Sequence, residues 1–443
     1  MNKRTLWLLA LIPFLTYTPS LGNGFVTYDD DLLVYENPNV LEFTPQTIAK
    51  VFTTYDPELY VPITLLSYQI ERAIFGLTPF IFHLTNLILH IGSVLLVYMI
   101  SLRLSGYRLE RSDSRNIAFA VAAIFALHPI NAEAVAWIAA RKDILSGFLF
   151  FASFYLYLKF LRSNIRRDYV LSLIVFGLSL GAKVSVVFLP VVLIISDWFI
   201  GKPIDKNNIK EKAPFFALSF VFGIIAILGK KAQIGGLTSL EETMLVIKGS
   251  VFYLQKLFWP SSLSILHPQD YPINLTSPDI LIPLILLISL ILILGFSRIA
   301  EVNGSTQLTT GEPRLRAWRR SPLTFGLTFF LLMLVPTFAT FWKNGFIYFA
   351  SERYTYTAVF GIIFAACYIL VPRITKVINQ NKSLVPVSKF AIIIAGLGMA
   401  FTSASHADNF KDGEAILLHA LKINPDSTHA LNNLGTTLYQ EER

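Results

Sequence analysis

The sequence has a single cysteine, Cys367, set within an apolar run. A disulfide framework and a cysteine-type metal centre are therefore excluded, and packing is the expected role of that thiol. Charge is scarce as well. Asp, Glu, Lys and Arg make up 15% of the 443 residues, against roughly a quarter in soluble chains. No glycine-rich phosphate loop and no soluble nucleotide-binding domain is visible. Nor do the basic residues form long blocks. The net charge of +8 is distributed as short clusters between apolar runs, a pattern that sets membrane topology and excludes a nucleic-acid partner.

What the chain does have is apolar length. Hydrophobic residues make up 54% of it, with 36 phenylalanines, and the mean hydropathy is +0.56. Runs of membrane-spanning character occur at 5–21, 80–102, 116–138, 144–161, 168–182, 184–200, 213–229, 279–297, 321–342, 354–372 and 386–404. The first follows Lys3-Arg4 and has the shape of a secretory leader, but retaining it as a helix makes the charge distribution work. With the N-terminus inside, 23 of the 37 Lys and Arg fall in inner segments and 21 of the 29 acids fall outside, as the positive-inside rule requires. The runs 168–182 and 184–200 abut at Ala182-Lys183-Val184, which predicts a helical hairpin tipped by Lys183. The run 243–258 carries Lys248 and Lys256 and reads as an amphipathic helix on the outer surface. The fold class is all-α: a polytopic membrane protein of about eleven transmembrane helices, residues 1–404, followed by a short helix pair.

That pair occupies 405–443. Asp412 to Ile423, the turn Asn424-Pro425-Asp426-Ser427, and Thr428 to Tyr439 read as helix, stop with N-cap, helix. Ala430, Leu434-Gly435 and Leu438-Tyr439 fit the small/large alternation of a tetratricopeptide helix. One partial repeat cannot bury its own face, so either further repeats follow or the pair packs on the membrane domain. The end at Glu441-Glu442-Arg443 falls inside a helix of repeat character.

The outer loop 22–79 opens with Phe25-Val26-Thr27-Tyr28-Asp29-Asp30-Asp31 and contains a predicted helix at 61–75, with Pro62 in its first turn. Three adjacent acids repel one another. They are either a solvated loop or a set that holds a divalent cation or abstracts a proton. Charges at membrane depth are costly and mark function by default. On the same side lie His128 and Glu133 near the end of the third run, Arg141-Lys142-Asp143 at the start of the fourth, Lys183, and Glu352-Arg353 before the tenth. Each has a bland reading. Glu133 could pair with Arg141 for neutrality, Arg353 could snorkel, and His128 before Pro129 could cap a helix. Asp197-Trp198 lies on the inner side and reads as an interfacial anchor. Jointly, the outer acids and bases point to phosphate binding with proton transfer.

These residues resemble a known family, the bacterial relatives of the transmembrane-and-tetratricopeptide-repeat (TMTC) O-mannosyltransferases within the GT-C superfamily. Phe25-Val26, Asp29-Asp30 and Asn37-Pro38-Asn39-Val40 are similar to its first-loop signature. Tyr60 to Thr64 with His83-Leu84-Thr85-Asn86 and His90 match a second run, with Val61 where the family has Arg. His128-Pro129-Ile130 through Glu133 to Arg141, Asp143 and Leu145 match a third. Lys183 stands in its Ser-Lys hairpin with Ala182 in place of Ser. Tyr253-Leu254, Lys256 and Trp259 to Leu263 resemble its outer amphipathic segment, and Glu352-Arg353-Tyr354-Thr355-Tyr356 with Gly361 its Asp/Glu-Arg-Tyr element.

The resemblance implies transfer of a sugar from a polyprenyl-phosphate carrier to an acceptor hydroxyl, on the periplasmic side of a bacterial inner membrane. The missing nucleotide domain fits a lipid-borne donor. On this expectation Asp29 or Asp30 is the general base and Glu133 assists. Asp30 and Glu133 are the candidate ligands of a divalent cation, Mg or Mn. Arg141, Lys183 and Arg353 neutralise the donor phosphate, and His128, Asp143 and Glu352 serve the acceptor or support the site. The tail recruits the acceptor, a protein or glycan. Two other classes compete: a transporter or flippase of an anionic lipid or glycan, and a non-enzymatic scaffold.

Overall fold

The computed structural model describes residues 3–55, 59–229, 237–269, 273–289, 321–339 and 348–440. The Arg-rich loop 298–320, the end of the run 279–297 and residues 441–443 lie outside them. Among the described residues the only strand-like pairing is an isolated bridge between His267 and Ala350. Helix occurs in every one of the eleven expected runs. Among the described residues six helices are individually long and apolar enough to cross a membrane, or seven when one bent pair is taken as a single span.

Proline and glycine set many of the boundaries. Proline stands in the first turn of Pro45–Thr53, Pro62–Phe75, Pro79–Ser105 and Pro322–Phe338, where its missing N–H costs nothing and its fixed φ suits a helix. Gly76 (φ 70) and Gly201 (φ 94) end Pro62–Phe75 and Leu189–Ile200. The third expected span is broken. Arg111–Leu127 and Pro129–Ala136 meet at 54°, because Pro129 cannot donate to the preceding turn and His128 caps the new start through Nδ1, accepting from Ile130 N at 3.2 Å.

The hairpin at Lys183 differs from the expectation. Residues 184–186 make one short turn after Lys183 before Leu189–Ile200. Arg166–Ala182 lies along Arg141–Ser163 instead of along Leu189–Ile200. Serine hydroxyls pin that contact: Ser153 Oγ to Ser172 O and Ser172 Oγ to Ser153 O at 2.7 Å each, and Ser179 Oγ to Ser146 O at 2.7 Å. Pro322–Phe338 meets Val359–Gln380 backbone to backbone. A Cβ on Gly326 would stand 2.3 Å from Gly361 O, and one on Gly361 2.5 Å from Gly326 O, the close approach that small residues allow between membrane helices. Phe329, Phe360, Phe364 and Phe325 interlock beside it, and Cys367 is buried. Ser239–Phe258 is the expected helix at 243–258 and is not among those apolar enough to span.

Asp197 is not an interfacial anchor. It is wholly buried and pairs with Lys212, also wholly buried. It further accepts from Tyr157 Oη at 2.9 Å and from Asn208 Nδ2 at 2.6 Å. This network ties Leu189–Ile200, Lys206–Leu228 and Arg141–Ser163 together at the end of the bundle opposite Asp29.

The tail forms Gly413–Ile423 and Thr428–Gln440, capped by Asp412, which accepts from Ala415 N at 2.8 Å. It packs on the membrane domain. Gly24 N donates to Lys411 O at 2.8 Å, His419 Nε2 to Leu263 O at 2.8 Å, and Phe410 stacks on Trp137. Residues 23–55 of the first loop, the 128–143 segment, Lys183, the 239–269 segment, 348–356 and the tail helices therefore gather at one end of the bundle.

Candidate active site

Asp29 and Asp30 are neighbours with opposite surroundings. Asp30 is fully buried; its Oδ2 accepts from Val26 N at 2.8 Å and its Oδ1 from Ala139 N at 2.7 Å. It ties its own loop to the 137–140 segment. Burial raises its carboxyl to about 8, against the pull of these two donors and of Lys142, with Asp29 adding to the rise. Asp29 keeps 38% of its side chain exposed and faces Lys142 Nζ at 3.6 Å. Its φ of 70 is left-handed, an uncommon setting for a residue with a Cβ.

Arg353 and Lys183 complete the cluster. Arg353 Nη1 pairs with Glu133, whose carboxylate also accepts from Arg353 N at 3.0 Å and Ser351 Oγ at 2.6 Å. Lys183 pairs with Asp143. Arg353 Nε stands 3.9 Å from Asp143 Oδ2, and both atoms are buried without a hydrogen-bond partner among the described residues. Two aromatic plates carry the cations. Arg353 lies 4.7 Å and Lys142 6.0 Å from the ring centre of Trp137, and Arg353 4.9 Å and Lys183 5.0 Å from that of Tyr354. Tyr28 packs on the same Trp137. The structure thus links Asp29, Asp30, Glu133, Asp143, Lys183 and Arg353 in one cluster and adds Lys142.

Three expected residues lie elsewhere. Arg141 does not face the cluster: it pairs with Glu71 at 2.7 Å, donates to Asn86 Oδ1 at 2.6 Å and Phe82 O at 2.7 Å, and lies over the Tyr68 ring. With its side chain fully buried, it has no face to offer a phosphate. It binds Pro62–Phe75 and Pro79–Ser105 to Arg141–Ser163, and the pairing with Glu133 does not occur. His128 uses both ring nitrogens on backbone, Nε2 donating to Leu257 O at 2.8 Å. Glu352 turns away to accept from His267 Nε2 at 2.6 Å and Ser264 N at 3.1 Å.

Asp30 and Glu133 do not fit a divalent cation. Both oxygens of each already accept hydrogen bonds, and Glu133 faces a guanidinium. Among the described residues no group of three or more His, Cys, Asp and Glu could hold a metal ion.

The quoted motif residues outside the cluster support it. His83 Nε2 contacts Gly24 O at 3.2 Å, Asn86 Nδ2 donates to Trp137 O at 2.9 Å, and His90 Nδ1 meets Tyr356 Oη at 3.0 Å. Thr64 Oγ1 donates to Ala182 O at 3.0 Å, docking Pro62–Phe75 beside Lys183. Trp137, Ser351, Glu71 and the tail's His429 carry no signal in the sequence, and Lys142, one of the outer charges there, has no role assigned to it. It sits between two residues that have one.

No family model matches the chain. It is 34% identical over 159 residues to "Protein O-mannosyl-transferase TMTC1" of Mus musculus, covering 34% of this chain and 16% of that protein. It is 33% identical over 167 residues to "Protein O-mannosyl-transferase Tmtc3" of Drosophila melanogaster, covering 32% and 18%. Among solved structures, the Archaeoglobus fulgidus oligosaccharyltransferase in the apo form aligns over 97% of this chain and 59% of its own, with a TM-score of 0.42 and 14% identity. The chain spans less than a fifth of the length of these two curated relatives. It is an integral membrane protein similar, over about a third of its length, to TMTC protein O-mannosyl-transferases.

Proposed function

We propose that this protein is a membrane glycosyltransferase that moves a sugar from a polyprenyl-phosphate carrier to an acceptor hydroxyl at the outer face, in a bacterial inner membrane. The observation that carries the reading is Asp29, the half-exposed carboxylate of a cluster that also holds Lys142, Lys183 and Arg353. Similarity to O-mannosyl-transferases supports the reaction class, and the excess of basic residues in the opposite segments supports the sidedness.

In this reading Asp29 takes the proton of the acceptor hydroxyl as its oxygen attacks the anomeric carbon. The bond between that carbon and the carrier phosphate breaks, with inversion, and the phosphate leaves with the bonding electrons. Arg353 Nε, buried beside Asp143 without an acceptor among the described residues, and Lys183 would receive the developing charge. Glu133 orients Arg353, and Asp30 holds the loop. No step runs through a metal ion.

The test is transfer of label from radiolabelled polyprenyl-phosphate mannose to Ser/Thr-containing peptides in proteoliposomes. New glycosidic product, lost in Asp29→Asn, is expected. Label that crosses the bilayer without any new glycosidic bond would establish a transporter instead. Full turnover in Asp29→Asn would remove the site.

A further inference from the structure

The loop that carries Asp29 is clasped on its outward side by the C-terminal helix pair. Tyr28 Oη and His429 Nε2 share a hydrogen bond of 3.2 Å, with the rings edge to face. Thr27 Oγ1 and Thr437 Oγ1 share another at 3.1 Å. Gly24 N donates to Lys411 O at 2.8 Å and Asn23 Nδ2 to Ala407 O at 3.2 Å. The fit is tight at Gly413, where a Cβ would stand 1.8 Å from Thr27 Oγ1 and 3.1 Å from Thr27 N. The tail is thus seated on the four residues 24, 27, 28 and 23 that lead into the left-handed Asp29.

A residue with a Cβ held in that region is strained and persists there only where its surroundings over-determine it. From the membrane side Asp30 supplies one such restraint. Tyr28 supplies the other, since its ring lies against Trp137 and its hydroxyl reaches the tail. His429 is half-buried there, and Asp29 is the charged group it feels.

We infer that His429 is a positioning residue of the Asp29 site, acting through the Tyr28 hydroxyl, and that the tail is a wall of that site and not only a platform beside it. The catalytic part of this inference rests on the proposed glycosyl transfer; the structural part does not.

The experiment uses the full chain in nanodiscs, with hydrogen exchange of residues 24–35 read by mass spectrometry and turnover read separately. Gly413→Val and His429→Ala should both speed exchange at 24–35. His429→Ala should lower turnover about tenfold, the equivalent of one lost hydrogen bond, and His429→Gln, which can still bond the Tyr28 hydroxyl, should restore most of it. In a Tyr28→Phe background His429→Ala should add no further loss. Unchanged exchange at 24–35 in both variants, or fully additive losses in the double variant, overturns the inference. Exchange needs no sugar donor, so accelerated exchange in a protein that transfers nothing would sink the glycosyltransferase reading while leaving the tail as a restraint on Asp29.

Discussion

Asp30→Asn and Asp29→Asn should fail in different ways. Asp30 presents two acceptor oxygens to two backbone donors, Val26 N and Ala139 N. A carboxyl serves both whether or not it carries a proton, because each oxygen keeps a free lone pair. An amide cannot, since its NH2 must face one of the two N–H groups. At a fully buried position the donor left without an acceptor costs about 1–3 kcal/mol. Asp29 has no such duty. Its half-exposed carboxylate faces Lys142 at 3.6 Å, a pair worth about 0–1 kcal/mol. Thermal unfolding in detergent should therefore register Asp30→Asn and hardly move for Asp29→Asn, and the Ala139 amide should exchange faster only in the former. Turnover should fall about 10²–10⁴-fold in Asp29→Asn, the loss of a general base. The opposite pattern, an unstable Asp29→Asn and a stable but inactive Asp30→Asn, would refute the assignment of base and tether.

Asp30 also gives a pH dependence with a definite sign. Its folded-state value of about 8 lies above the ordinary carboxylate value of about 3.9, so the native state holds a proton that the unfolded chain releases. This stability is fully present below pH ~4 and declines as pH rises to about 8; the slope between those limits should vanish in Asp30→Ala. Arg141→Met leaves Glu71 buried without its cation and should cost about 3–5 kcal/mol of stability, with KM for the donor unchanged in the folded fraction. A direct phosphate contact would instead raise KM without loss of stability. Gly361→Val drives a side chain into Gly326 O and Phe329 and should lower thermal stability by about 1–3 kcal/mol, read by unfolding in detergent.

Apolar length located helix in every membrane segment, because a run long enough to cross a bilayer has few other conformations open to it. The residues of the site were harder to rank. Arg141, Lys142 and Asp143 open one helix, and consecutive helical residues point about 100° apart. They accordingly reach three different partners: Glu71, Asp29 and Lys183. No spacing rule says which of three adjacent charges faces the site until the neighbours of that helix are known, so nothing in the sequence ranks Lys142 above Arg141 or Asp143. The same holds for Asp29 and Asp30, where the left-handed φ of the first turns the two side chains to different surroundings. The role of Asp197 is hidden in sequence for another reason. Its partner Lys212 lies on the next helix, beyond the turn at Gly201, and only tertiary packing brings the two together. The sequence allows the tail to continue into further repeats or to pack on the membrane domain, and the Gly413 seat on Thr27 shows how it packs. That contact is invisible in sequence because a glycine at a helix start has many other uses.

The pairing within the cluster bears on how it would work. Each cation has its own acid: Lys142 has Asp29, Lys183 has Asp143, and Arg353 has Glu133. The cost of burying three positive charges is thereby offset before any donor arrives. Of the three acids Asp29 is the one an acceptor hydroxyl can reach in the proposed reaction, since its side chain is 38% exposed while Glu133 and Asp143 are buried. When Asp29 takes the acceptor proton its charge is lost, and Lys142 is released from its partner as the leaving phosphate becomes more negative. An interaction gained only then lowers the barrier without tightening ground-state binding. Lys142→Met should therefore depress kcat with little change in KM for the carrier, whereas Lys183→Met, which removes a cation that the proposed reaction assigns to the donor phosphate, should raise KM as well. If Lys142→Met changed KM alone, Lys142 would be an ordinary binding cation, and proton transfer to Asp29 would not be coupled to the charge on the leaving group.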